Sequence, residues 1–251
     1  MKMSLEARFL EFCRQYPGAE DIDDLVRASG IPSGVQIADF LFQGRTIVCE
    51  VKTFTTETIE KLVAFMKEVG LDPSTLPSGQ HVIEQLFLQL DEGEKKYQRA
   101  KTIITKPLAD GLDNAERQIR SSKQLFGLPD ADGLLVILND EVVLAGPPLI
   151  AERLAERLAK SRDDGSPYHK NINHVLHIGE IYSPGDDYKY MDLTIPNPRA
   201  PEAHGVNDFV GNFMKAWAAF NGQPLIDASP QHEQLLRESR LFIDVKRDHT
   251  E

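Results

Sequence analysis

The sequence predicts an α/β fold with helices interleaved among strands, and a C-terminal helical extension. Three observations carry this prediction. Amphipathic helical segments alternate with apolar runs of strand length. The run from Gly133 to Leu138 is apolar throughout, the pattern of a strand covered on both faces. Two β-branched stretches, Val35 to Phe42 and Thr46 to Phe54, are separated by Gln43-Gly44-Arg45 and read as a hairpin. At 251 residues and 41% hydrophobic, the chain is long enough for a large core and too apolar to stay disordered.

Each element has its own signal. Ser4 to Tyr16 places Leu5, Phe9, Phe12 and Tyr16 at helical spacing, with Ser4 as N-cap and Pro17-Gly18 as stop. Asp21, Asp23 and Asp24 then form a short acidic segment, and Ile31-Pro32-Ser33-Gly34 reads as a turn. Thr55 to Gly70 is a helix, and Gln80 to about Thr105 another. Asp113-Asn114-Ala115-Glu116 reads as a capping-box start of a helix that ends at Gly127. Pro148 to Lys160 is an amphipathic helix and Asn173 to Tyr182 a strand. Prolines 196, 198 and 201 mark a linker, and Asn207 to Phe220 is an apolar helix whose Trp217 belongs in a core. The main domain is therefore expected over 1–195 and the extension over 196–251.

The composition excludes several functions. No stretch approaches the ~18–20 apolar residues of a membrane span, and the start does not read as a secretory signal, so a cytoplasmic protein is expected. Cys13 and Cys49 are too few for a disulfide framework or a cysteine metal site. His169, His174 and His177 fit no zinc spacing and read as surface or strand histidines. Phosphate loops of the Walker or dinucleotide type are missing. The net charge of −11 does not draw the chain to nucleic acid as a whole. Its distribution is uneven, however. Between Lys95 and Lys123 stand eight bases (Lys95, Lys96, Arg99, Lys101, Lys106, Arg117, Arg120, Lys123) against three acids, a local +5. Such a strip is either a solvated helix face or a set of phosphate contacts.

The hairpin carries the chemistry. With Gly44-Arg45 as a two-residue turn, facing residue numbers sum to 89, which sets Asp39 opposite Glu50. Alternation puts Lys52 on the same face as Glu50. Two carboxylates at such range repel by about 4 kcal/mol at an effective dielectric near 20. One lysine offsets part of this, whereas a divalent cation converts the repulsion into attraction; two hard oxygen donors with waters and phosphate are a usual Mg²⁺ arrangement. Both faces of the hairpin are otherwise apolar, as in a central strand, where unpaired charge is costly.

Ala38-Asp39, a turn, and Glu50-Val51-Lys52 resemble the motif of the PD-(D/E)xK nuclease superfamily, with its restriction-endonuclease-like fold. Ala38 stands where the family usually has proline. The resemblance spans about Ser4 to Tyr182, with a helical insertion at about 55–110. It implies a mixed central sheet flanked by helices and a metal-dependent nuclease hydrolysing phosphodiester bonds, of DNA more often than RNA. It implies Mg²⁺ or Mn²⁺ held by Asp39, Glu50 and the Val51 carbonyl, with Lys52 orienting the attacking water. A family glutamine on the following helix corresponds to Gln118, and an acid from the first helix to Glu6, with Glu20 as the alternative. The nucleic-acid contacts then fall to Lys95, Lys96, Arg99, Lys101, Arg117, Arg120 and Lys123. A homodimer or partner protein would help an acidic chain load such a substrate. The competing reading is an inactive nucleic-acid- or protein-binding module of the same fold.

Overall fold

A computed structural model describes residues 3–30, 36–55, 58–77, 79–139, 141–142, 144–180, 191–223 and 242–245. The turn expected at 31–34 lies outside these residues, as do the first residue of the strand expected from Val35 and the last two of the strand expected to reach Tyr182. The chain is an α/β protein. The elements run α1 (Leu5–Gln15), β1 (Glu20–Asp21), α2 (Ile22–Ser29), β2 (Phe40–Phe42), β3 (Ile47–Thr53), α3 (Ile59–Glu68), β4 (Gly79–Val82), α4 (Ile83–Leu88) and α5 (Gly93–Phe126). There follow β5 (Asp132–Asn139), α6 (Pro147–Leu158), β6 (His174–Gly179), β7 (Met191–Pro196), α7 (Val206–Phe220) and β8 (Phe242–Val245). Six strands form an open mixed sheet in the order β1-β2-β3-β5-β6-β7. β3, β5 and β6 are parallel, while β1, β2 and β7 are antiparallel to their neighbours. β4 and β8 make a separate antiparallel pair. Among the described residues, no helix is long and apolar enough to cross a membrane.

Each face of the sheet has its own core. Cys49, Leu134 and Val136 point to one face, beneath α1 and α7, where Phe9, Phe12, Phe213 and Trp217 pack edge to face at centroid distances of 5.0 to 6.1 Å. Val48, Leu135 and Ile137 point to the other, beneath α3 to α6. The chain beyond 196 thus contributes α7 to the main sheet, and Trp217 is fully buried there, as expected.

Several elements differ from expectation. The acidic segment after Gly18 begins a helix, α2: Asp21 caps it, accepting from the Asp23 and Asp24 amides. The expected start at Asp113 lies in the middle of α5, which runs unbroken for 34 residues through Pro107 to its stop at Gly127. Asp113 caps nothing, because its carboxylate is taken by Arg157 (2.7 Å to each oxygen) and His169 (2.8 Å). The stretch from Gln80 begins as strand β4, and only from Ile83 is it helical. β1, β7 and β8 were not expected at all. β7 is an edge strand whose Met191-Asp192-Leu193-Thr194-Ile195 alternation is short and followed directly by prolines.

Candidate active site

The hairpin register is as the numbers require: Phe40 faces Cys49, Leu41 faces Val48 and Phe42 faces Ile47. The turn centres on Gly44-Arg45, closed by the Thr46 amide on the Gln43 carbonyl at 3.4 Å. Both central residues have positive φ (61° and 72°), the type I′ pattern. Arg45 pays for a left-handed backbone that glycine would adopt freely, and its guanidinium is pinned by both oxygens of Glu20 on β1.

β2 is shorter than expected, and the reason bears on the site. The Asp39 amide still donates to the Cys49 carbonyl (3.0 Å), but its own carbonyl accepts from Ile22 at the start of α2 (2.9 Å). One residue earlier the ladder is gone. The Ala38 amide donates to the Ser122 hydroxyl (2.8 Å), and the Ile37 carbonyl accepts from Gln118 Nε2 (2.9 Å). Helix α5 therefore takes over where the strand pairing stops.

Glu50 and Lys52 lie on the sheet face beneath α5, in the alternation of Val48. Glu50 is only 1% exposed. Lys52 Nζ forms an ion pair with Glu50 Oε1 and donates to Gln118 Oε1 at 2.7 Å. Asp39 Oδ2 accepts from the Val51 amide at 2.7 Å. The Asp39 and Glu50 carboxyl groups are close enough to hydrogen-bond when one of them carries a proton. Burial pushes the Glu50 carboxyl up to about 8, with the Asp39 charge adding to the rise and Lys52 opposing it. Burial also raises Asp39, against the lowering effects of the Val51 amide and Lys52. Glu50 Oε2 is buried and accepts no hydrogen bond from any described residue. Asp39, Glu50 and Lys52 thus converge as the spacing predicted, and Gln118, the helix residue that the resemblance supplied, meets them there.

This donor set suits a hard cation. Two carboxylates face each other, one buried oxygen lacks a donor, and the like charges repel in a desolvated place. The Val51 amide points to the β2 edge, where it meets Asp39, so its carbonyl leaves on that same edge beyond the end of β2. Among the described residues no cluster of three or more His, Cys, Asp or Glu side chains could hold a metal. The remaining ligands would come from water and phosphate, as is usual for Mg²⁺.

Other expected residues lie elsewhere. Glu6 is exposed on α1, which covers the opposite sheet face from Glu50, so it is not a third acid. Glu20 is committed to Arg45. Asp23, exposed on α2, is near enough for its charge to raise Asp39, but among the described residues it does not join Asp39 and Glu50 in a three-acid metal cluster. A capping aspartate followed by Ile22, Leu25 and Val26 at helical spacing was the signal that could have found it.

The basic strip does not form one surface either. Lys95, Lys96 and Arg99 lie at the far end of α5, roughly 30–35 Å of helix from Gln118. Lys95 pairs with Glu92, and Arg99 with Glu68 while covering the Phe65 ring. Lys101 is tied to Glu152 on α6 at 2.7 Å. Lys123 is buried, 8% exposed, with its ammonium on the Asn171 carbonyl. Only Arg117 and Arg120 stand exposed on the stretch that carries Gln118.

His169 is a buried partner of Asp113 and not a surface residue, while His174 and His177 are buried on β6. Cys13 and Cys49 are buried free thiols. Compared with known proteins, the chain matches no family model, no curated protein and no solved structure.

Proposed function

We propose that this protein is a metal-dependent nuclease of the restriction-endonuclease-like fold, hydrolysing the phosphodiester bonds of DNA. The observation that carries the reading is the meeting of Asp39 and Glu50 across the hairpin, with Lys52 Nζ shared between Glu50 and Gln118. A buried carboxylate pair with an unsatisfied oxygen is unfavourable in a purely structural role and useful in a cation site. Asp39, Glu50 and the Val51 carbonyl would hold Mg²⁺ or Mn²⁺. Such an ion acidifies bound water and neutralises charge on phosphate oxygens.

The chain's own groups do the positioning. Lys52, 30% exposed at its side chain, reaches from the buried carboxylate to solvent. Its ammonium has three donors, and with Glu50 and Gln118 engaged one remains to orient the attacking water or a non-bridging phosphate oxygen. Gln118 fixes that ammonium, and its own amide is fixed by the Ile37 carbonyl. A displaced or flexible lysine would lose most of this advantage.

The test is cleavage of linear, circular and single-stranded DNA and of RNA with Mg²⁺ or Mn²⁺, beside a Glu50→Ala/Lys52→Ala control. Cleavage by the wild type alone is expected. Equal background in both, with retained gel shifts, would favour a binding module instead.

A further inference from the structure

A cavity of about 320 Å³ opens on the flank of α5 facing the loop before β6, lined by Arg120, Lys123, Gln124, Gly127, Lys170 and Asn171. Three of these side chains are cationic, and no carboxylate lines the cavity. Cations near a helix C-terminus are ordinary, since the dipole favours them. Lys170, however, comes from a different segment and converges on the same space.

Lys123 is the unusual member. Its side chain is buried, yet it makes no ion pair with any described residue, and its ammonium has one hydrogen bond, a 3.3 Å contact to the Asn171 carbonyl. Glu116, the carboxylate whose charge acts on Lys123 most, is spent on the Asn171 amide and side chain, at 3.1 and 2.6 Å. Asp132 accepts from the His204 and Val206 amides. A buried ammonium with spare donors, two exposed cations at the rim and an open volume together fit an anion with several oxygens.

The position relative to Gln118 adds to this. Lys123 lies five residues on, about 7.5 Å along α5 and about 140° around it. Between the two flanks the helix turns outward Arg117, Arg120, Ser121 and Gln124, and the stretch Arg117 to Gln124 contains no acid. A helix is ~10–12 Å across with side chains, about three nucleotides at the 3.4 Å rise of a strand.

We propose that this cavity is a second phosphate-binding site, taking a backbone phosphate of a nucleic-acid strand that crosses α5 from the carboxylate site. The assignment to a strand rests on the nuclease reading; the phosphate site does not. The test is binding to the full chain in EDTA, comparing wild type with Arg120→Glu/Lys170→Glu, both exposed positions. Fluorescence anisotropy with a labelled duplex and a labelled single strand should show affinity falling tenfold or more, and the salt slope on duplex falling by about 1, as one lost phosphate contact requires. Titration with inorganic phosphate and with a deoxynucleoside monophosphate, followed calorimetrically, separates the sources. Loss confined to these small ligands keeps the phosphate site and overturns the strand assignment. Unchanged affinity for strand and small ligands alike overturns the proposal. Failure of cleavage with the binding effect intact would count against the nuclease reading and leave this site standing.

Discussion

Two groups of carboxylates flank helix α5, the exposed Asp113 with the buried Glu116 on the β6 side and the buried Glu50 with Asp39 on the β3 side, and they are built on opposite rules. On the β6 side, Asp113 is held by Arg157 and His169, and Glu116 by the amide and side chain of Asn171, so these acids have their donors. His169 and Arg157 hold the Asp113 carboxyl below the usual range in spite of burial. On the β3 side, Glu50 is more buried than either, has one cation for two repelling carboxylates, and keeps an oxygen without a donor. The first group closes its own hydrogen-bond account and serves the fold. The second is left open, and an open buried account is explained by something that binds there.

The contrast can be broken by substitution. The largest effect is expected from Glu50→Gln, which keeps shape and removes charge: cleavage should fall by roughly a thousandfold or more, while metal-free thermal stability stays level or rises. A large loss of stability with retained cleavage would reverse the roles of the two groups. Glu116→Ala should do the opposite. It strips two donors of their acceptor and leaves Lys123 more isolated, costing about 3 kcal/mol by denaturant unfolding, with metal affinity unaffected.

The smallest effect concerns His177, fully packed on β6 with neither ring nitrogen hydrogen-bonded, its pKa lowered by burial to about 4. Its folded pKa lies below the unfolded value, so the unfolded chain binds the extra proton first. Stability should therefore fall as pH drops from about 6.5 to 4, by about 1–3 kcal/mol from this residue. His177→Leu should flatten that limb of the stability curve, measured by urea unfolding at several pH values. A limb of unchanged slope would place the acid sensitivity in another group.

Much of the site was legible because the hairpin constrains itself. Gly44 sets the turn, the turn sets the sum of 89, and the sum brings Asp39 to Glu50 without any knowledge of the rest of the chain. β5 was legible for a similar reason, since a run from Leu134 to Leu138 has no polar side to misread. What failed depended on distant partners. Asp113 looks like a helix start until Arg157 and His169, some 44 and 56 residues on, claim its oxygens. Charge counting joined Lys101 and Lys123 to a strip, although one is bound to α6 and the other is buried under the loop before β6. Asp23 was hidden in a short helix with only three apolar residues facing inward, too few for a periodicity to stand out.

The early end of β2 has a mechanical consequence. With Ala38 hung from Ser122 and Ile37 from Gln118, the aspartate is suspended from the same rigid rod that steadies the lysine. Sliding that rod by a fraction of a turn would carry both halves of the machinery together, keeping their mutual alignment while moving them over the glutamate. Packing changes well away along the rod, even near its internal proline, thus have a lever on the alignment of the reacting groups.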